Sequence, residues 1–209
     1  MIDLSGISSS LYALNRSKLV ALLEEKAMVL LGSNDLVLKS GDQYFPFKQN
    51  ADLFYLTGIH QPKSYLLLFP SAQNPVYKEV LFIEKGSDTS AIWGGNNLSK
   101  EEARNSSGIT SVFWTNELWS VLPSLMHAAH FVYLNTNEND RVFHPIDNDS
   151  RLIASLKAQF PLHRYERLAP LLRALRSVKS EQELSLIQKA CAITKNTFDK
   201  SLRYYQKHL

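Results

Sequence analysis

The chain has 209 residues, 44% hydrophobic and 21% charged, which is the composition of a folded globular protein and excludes a disordered or repetitive one. Its formal charge of +3 comes from 23 basic and 20 acidic residues spread along the chain, a distribution that argues against a nucleic-acid partner. The single cysteine excludes an intramolecular disulfide, and no apolar run reaches the roughly 20 residues of a membrane span, so we expect a cytoplasmic protein without a membrane partner.

The first half of the chain alternates apolar runs with polar turns. An amphipathic pattern after Asn15 predicts a helix through residues 16–31, and residues 35–39 predict a short strand. Two apolar runs, at residues 64–69 and 78–83, predict buried strands. The sequence PSAQNP between them is typical of a turn, so we predict that these two strands form an antiparallel hairpin.

In the second half, Ser99 and Glu102 match a capping box and predict the start of a short helix. The predicted elements that follow are a strand at 110–114, a helix at about 116–129, a strand at 131–134, a helix at 148–160, a possible strand at 163–168 and a helix at 169–176. Strands that alternate with helices predict an α/β fold, in which helices flank both faces of a mixed β-sheet.

A long helix is predicted at the end of the chain, behind a second capping box at Ser180 and Glu183. One face of it carries a stripe of mainly apolar side chains: Leu184, Ile187, Cys191, Thr194, Phe198, Leu202 and Tyr205. We expect the Cys191 thiol to be buried and inert in this stripe. The α/β domain before the helix looks complete, so either the helix packs on a partner or the natural chain continues.

Self-contained catalytic motifs are absent from the sequence, which has no HExxH, no glycine-rich phosphate loop and no GxSxG. His127 and His130 lie three residues apart on a predicted helix, but no carboxylate is near them in sequence, which favours surface or capping histidines over a metal site. Asp35, Asp52 and Glu84 would serve a metal-dependent hydrolase or nuclease if they converged. Asp35 and Asp52 fit better at the start of an element and at a helix cap.

The most distinctive segment, residues 44–70, surrounds a polar cluster with aromatic side chains. On its residues alone we predict a short helix with an Asn or Asp cap, which Gly58 ends in a left-handed conformation, and an aromatic core around it.

The same segment resembles the amino-terminal domain of Xaa-Pro aminopeptidases and related prolidases. The matching residues, called the motif below, are Phe47, Lys48, Gln49, Asn50, Asp52, Tyr55, Leu56, Thr57 and Gly58. Lys48 stands where arginine is commoner in the family, which puts a bidentate arginine contact in doubt but not the fold. Residues 81–95, which include Trp93, residues 99–109 and residues 175–198 resemble the strand and loop, the helix and the hinge that follow in the family.

The resemblance implies a creatinase/prolidase-type amino-terminal domain at residues 1–175, with the hinge and first helix of a pita-bread catalytic domain at 176–209. It implies that catalysis and two divalent cations, commonly manganese, belong to that catalytic domain, which is this domain's partner within the parent enzyme. No catalytic or metal-ligating residue is therefore assigned in this chain, and the chain alone is expected to be inactive.

The resemblance further implies a homo-oligomer, dimer or tetramer, in which this domain narrows access to the active site. Trp93 either approaches a neighbouring subunit's substrate pocket or packs between the sheet and a covering helix. A stand-alone interaction module of the same fold and the corresponding domain of an Xaa-Pro dipeptidase are alternatives, although the Gln49-Asn50 phrase favours the aminopeptidase.

Overall fold

The computed structural model of the chain describes residues 7–86, 97–139 and 146–208. The described elements are, in chain order, α1 (Ser9–Val20), β1 (Ala27–Gly32), β2 (Leu38–Ser40), β3 (Gln43–Tyr44), α2 (Ala51–Thr57), β4 (Tyr65–Leu68), a 3₁₀ turn (Pro75–Tyr77), β5 (Glu79–Ile83), α3 (Lys100–Ser107), β6 (Ser111–Trp114), a 3₁₀ turn (Thr115–Glu117), α4 (Leu118–Met126), β7 (Phe131–Leu134), α5 (Asn148–Gln159), β8 (Arg164–Arg167), α6 (Ala169–Ser177) and α7 (Glu181–His208). The chain forms two compact units, Met1–Leu175 and Arg176–Leu209.

Among the described residues, six strands form one mixed sheet in the order β6-β5-β4-β1-β7-β8. β1 pairs antiparallel with β4 and parallel with β7, and the outer strands β6 and β8 are parallel to their neighbours. β4 and β5 are antiparallel, which confirms the predicted hairpin. β2 and β3 pair separately, and we call residues 36–45, which contain them, the arm.

The central strand β1 is buried at all six positions and divides the core into two layers. Because strand side chains alternate between faces, Val29 and Leu31 join one apolar cluster while Met28 and Leu30 join the other. Helices α1, α2, α3 and α6 supply buried side chains to the first cluster, and α4 and α5 supply them to the second. The predicted α/β fold, with helices on both faces of a mixed sheet, is confirmed.

The prediction of a helix over residues 16–31 is wrong at both ends. α1 begins eight residues after the first methionine, behind Ser8, whose hydroxyl accepts a hydrogen bond from the Ser10 N–H, and it ends at Val20. Lys26 then adopts a φ of 56°, and the apolar run after it is β1. A strand buried on both faces has a continuous apolar run without period-two alternation, so its pattern cannot be told from that of a buried helix.

The later elements lie close to their predicted bounds, from β6 through α6. Ser99 and Glu102 form the predicted capping box: the Ser99 hydroxyl accepts from the Glu102 N–H at 3.2 Å, and the Glu102 carboxylate accepts from the Ser99 N–H at 2.8 Å. The strand predicted at 35–39 is displaced, because β2 occupies Leu38–Ser40.

The second unit contains the predicted long helix, α7, and its capping box at Ser180 and Glu183. The prediction that Cys191 is buried is wrong, because its side chain is exposed. The stripe to which it belongs is exposed with it, including Leu184, Ile187 and Phe198. No helix within the described ranges has the length and apolar character that a bilayer span requires.

Candidate functional site

Three residues of the motif define the two ends of α2. The Asn50 side-chain oxygen accepts hydrogen bonds from the N–H groups of Asp52 at 2.9 Å and Leu53 at 3.2 Å, which caps the helix start. At the other end, Thr57 donates to the Leu53 carbonyl at 2.7 Å, and Gly58 adopts a left-handed φ of 68°. A Cβ at this glycine would overlap the ring of Tyr12, so the position requires glycine for both its backbone angle and its space.

Gln49 joins the two chain segments that flank α2. Its side chain is buried, and its amide nitrogen donates to the carbonyl oxygens of Ile59 at 3.1 Å and Gln61 at 3.0 Å. Its amide oxygen accepts from the Asn50 N–H at 2.8 Å. A carboxylate at this position could not donate, so glutamine fits a site that needs both donors and an acceptor.

The remaining motif residues also make contacts within the domain. The Phe47 ring meets His60 edge to face at 5.3 Å. Lys48 is exposed, and its backbone carbonyl accepts from the Asn34 amide at 3.0 Å. The carbonyl of Tyr55 accepts from the Asn15 amide at 3.0 Å, and an Asp52 carboxylate oxygen accepts from the Asn135 amide at 3.1 Å. The motif therefore fixes the position of α2 against several other elements.

A buried arginine, which sequence reasoning missed, binds the ends of two helices. The Arg16 side chain is 1% exposed, and one of its terminal nitrogens donates to the carbonyl oxygens of Leu56 at 2.8 Å and Ser107 at 3.0 Å. Its Nε donates to Glu79 at 3.1 Å. Positive charge is stabilising at helix carboxyl ends, where carbonyl groups lack intrahelical partners. Burial lowers the pKa of Arg16, and the Glu79 carboxylate opposes that shift.

The carboxyl ends of α2 and α3, which Arg16 joins, have the same construction. Thr57-Gly58 ends α2 and Ser107-Gly108 ends α3, and each hydroxyl donates to a carbonyl one helical turn earlier, at 2.7 Å in both cases. Gly108 has a φ of 72°, close to that of Gly58. The spacing of residues in the sequence could have indicated Arg16, because it falls on one stripe of a helix with its neighbours at i, i+1, i+4, i+5 and i+8. The structure buries all five residues of that stripe: Leu11, Tyr12, Asn15, Arg16 and Leu19.

A cleft of about 690 Å³ lies between the arm, the end of β1 and the first turn of α5. Its lining residues are Ser33, Asn34, Asp35, Leu36, Val37, Tyr44, Pro62, Lys63, Ile146, Asp147, Asn148 and Arg151. Arg151 and Asp35 form an ion pair at 2.7 Å. The Asn148 amide donates to the Ser33 carbonyl at 3.0 Å and its oxygen accepts from the Tyr65 hydroxyl at 2.8 Å, which joins the start of α5 to β1 and β4.

Asp149, on the first turn of α5, is a buried acid without a cationic partner among its described contacts. The Gly32 N–H donates to its carboxyl at 3.3 Å, and the residue is 8% exposed. Burial is the largest cause that raises the pKa of Asp149, and the nearby carboxylates of Asp147, Asp52 and Asp35 also raise it. The hydrogen bond from Gly32 lowers it, and the net result is a pKa of about 7.

The family model described as "Aminopeptidase P, N-terminal domain" matches residues 12–133 of the chain. The chain belongs to this family. Xaa-Pro aminopeptidase 3 of Homo sapiens is 25% identical to this chain, over 92% of this chain and 40% of that protein. The Xaa-Pro aminopeptidase of Escherichia coli is 25% identical over 91% of this chain and 44% of that protein. The chain thus spans less than half the length of these curated relatives.

Solved structures agree with this family assignment. A Bacillus anthracis structure described as an aminopeptidase P superposes with a TM-score of 0.82 and 25% identity, over 91% of this chain and 45% of that one. Aminopeptidase P from Escherichia coli superposes with a TM-score of 0.75 over 88% of this chain and 42% of that one. At 22% identity, the second likeness shows the fold of the aminopeptidase P N-terminal domain.

The candidate acidic residues of this aminopeptidase P N-terminal domain do not form a metal-binding group. Asp35 pairs with Arg151, and Glu84 accepts from Lys63 at 2.6 Å. His127 is exposed with its ring edge-on to Phe160. Within residues 7–86, 97–139 and 146–208, no group of three or more His, Cys, Asp or Glu side chains is arranged to hold a metal ion. Trp93 lies outside the described residues.

Proposed function

We propose that this chain acts as the non-catalytic amino-terminal domain of a metal-dependent Xaa-Pro aminopeptidase, a hydrolase that removes the residue preceding proline from a peptide. The observation that carries the proposal is the family match over residues 12–133, joined to relatives of which the chain spans about 40%. The remaining length of such a relative is where we place the catalytic chemistry.

The contacts of the motif favour a structural, non-catalytic role for these residues. Gln49, Asn50 and Thr57 direct their side-chain polar groups to neighbouring backbone, and Arg16 does the same at the ends of α2 and α3. Polar side chains that are bonded to backbone groups in this way stabilise a fold. We therefore assign these residues to the stability of the domain.

The two divalent cations of the proposal, manganese by resemblance, do not fit the described residues. Those residues supply no group of three or more His, Cys, Asp or Glu side chains that would bind one. We place both ions in a separate domain of the same polypeptide and derive no catalytic step through them here.

We also propose that the domain supports a homo-oligomer and narrows access to the active site of the parent enzyme. The arm supports the first part, because five of its apolar side chains are exposed: Leu36, Val37, Leu38, Tyr44 and Phe45. Concentrated apolar exposure of this kind marks interaction surfaces. The approach of Trp93 to a substrate pocket and the cytoplasmic location stay predictions.

The experiment that tests this function isolates the native protein from its source with an antibody raised against this chain. We expect a polypeptide of about twice the 23.8 kDa of this chain or more, since the chain spans 40% of its human relative. The isolated protein should cleave a peptide whose second residue is proline and spare the alanine analogue, and a chelator should abolish the cleavage. Light scattering on the same sample measures the oligomeric mass.

The second candidate function is a stand-alone interaction module of the same fold. The exposed apolar stripe of α7, which includes Leu184, Ile187 and Phe198, favours it because such a helix face binds a groove on a partner. A native polypeptide near 23.8 kDa without Xaa-Pro cleavage would overturn the enzyme proposal in favour of this one. Cleavage of dipeptides alone would instead indicate a dipeptidase parent.

A further inference from the structure

The first turn of α5 lies directly on the backbone of β1. A Cβ built on Gly32 would come within 3.1 Å of the Asp149 carboxyl and would overlap the Asn148 amide, so a larger residue at this position would displace the Asn148 side chain. The approach places the Asp149 carboxyl under the end of the central strand, 8% exposed and within 3.3 Å of the Gly32 nitrogen.

The charged groups that face Asp149 come from several elements and are mostly acidic. They are Asp147 at the cap of α5, Asp52 on α2 and Asp35 after β1. Arg151, at the end of the first turn of α5, is 2.7 Å from Asp35 and forms an ion pair with it. Tyr65 on β4 donates its hydroxyl to Asn148. An ionised Asp149 would thus add a buried negative charge beside three others.

The helix dipole does not require a charge on Asp149. A carboxylate at a helix start is stabilising, but Asp147 already supplies one, since it accepts from the Ser150 N–H at 2.8 Å and from the Ser150 hydroxyl at 2.6 Å. The neutral carboxyl of Asp149 can remain buried, whereas the ionised form must regain water or lose its neighbours.

We propose that the first turn of α5 is a protonation-controlled latch on β1, closed when the Asp149 carboxyl is neutral and released when that carboxyl ionises. The latch carries one wall of the cleft described above, because Asp147, Asn148 and Arg151 line it opposite the arm. Release of the latch widens that cleft. Such a device makes the shape of this surface depend on pH.

The sign of the effect follows from the two pKa values. In the closed turn the pKa of Asp149 is about 7, and in a released, hydrated turn it returns to about 3.9. The released form therefore gains on the closed form as the pH rises from about 4 to about 7, and the balance stays constant above that window.

Amide hydrogen exchange of the 209-residue chain tests the latch at Gly32 and Ser150. After correction for the pH dependence of intrinsic exchange, we expect protection to fall by up to about tenfold per pH unit between pH 5 and pH 7 and to level off above. In Asp149→Asn the fall should disappear, because the amide oxygen still accepts from Gly32 and cannot ionise. Asp42→Asn, in the exposed turn of the arm, is the matched control and should keep the wild-type behaviour.

A second measurement decides the matter if Asp149→Asn fails to fold. The carbon-13 shift of the wild-type Asp149 carboxyl should titrate near pH 7, and titration near pH 4 would overturn the proposal. So would a pH-dependent fall in Gly32 protection that persists in Asp149→Asn. For the cleft, spin labels at Val37→Cys and Ile146→Cys in a Cys191→Ser background should move apart between pH 5 and pH 7, and an unchanged distance would refute the widening.

Discussion

Arg16 and Asp149 are both buried in the same α/β domain, at 1% and 8% exposure. The groups around Arg16 stabilise its charged form, whereas the groups around Asp149 disfavour its charged form. Arg16 meets a carboxylate and the carbonyl oxygens of two helix ends. Asp149 meets one N–H group and lies near three other carboxylates. The first group therefore stays charged and joins elements, while the second is neutral below about pH 7. Burial alone does not decide ionisation; the groups that face the side chain decide it.

The largest expected effect comes from removing the charge of Arg16, which has hydrogen-bond partners in the core. Arg16→Met leaves the carbonyl oxygens of Leu56 and Ser107 buried without their donor, and we expect the free energy of unfolding to fall by about 3 kcal/mol. Glu79 adds little because its side chain is 38% exposed and can be hydrated. Urea unfolding measures the loss. Arg16→Lys, which keeps the charge but not the planar fork, should fall between, and a loss below about 0.5 kcal/mol in Arg16→Met would break the comparison.

The next largest effect concerns Asp149, and it appears only as a pH dependence of the free energy of unfolding. A folded pKa raised to about 7 means that this group's stability contribution is present at low pH and is lost as the pH rises from about 4 to about 7. Between pH 5 and pH 7 wild type should lose about 2 kcal/mol more than Asp149→Asn in urea unfolding. Equal losses in the two chains would show that Asp149 is ionised in the folded domain.

The smallest expected effect is the difference in stability between two glycine-to-alanine variants, one at each of the helix ends that Arg16 joins. Gly58→Ala and Gly108→Ala both place alanine at a left-handed φ, which costs about 1 kcal/mol. At Gly58 the new methyl also meets the buried Tyr12 ring, whereas at Gly108 its nearest neighbour is Ser9 at 3.5 Å, an ordinary contact. Thermal or urea unfolding should show Gly58→Ala to be less stable by a further 1–2 kcal/mol or so. Equal costs would mean that Tyr12 moves aside freely.

Local signals account for the parts of the fold that were predicted correctly. The β4–β5 hairpin followed from two apolar runs around a turn, and both capping boxes followed from a serine and a glutamate three residues apart. The left-handed exit at Gly58 was predicted for the same reason, because glycine at a helix end acts within one turn. These features depend on residues adjacent in the chain.

The sequence by itself therefore determined most of the alternation of strands and helices, the capped starts of α3 and α7, the glycine that ends α2 and the family of the domain. Tertiary structure decided that residues 27–32 form the central strand, since a run buried on both faces has no period of its own. It also decided the states of Arg16 and Asp149. Arg16 binds a carbonyl 40 positions away, and Asp149 binds an N–H 117 positions away. Electrostatic environment depends on distance in space, which only the folded chain sets.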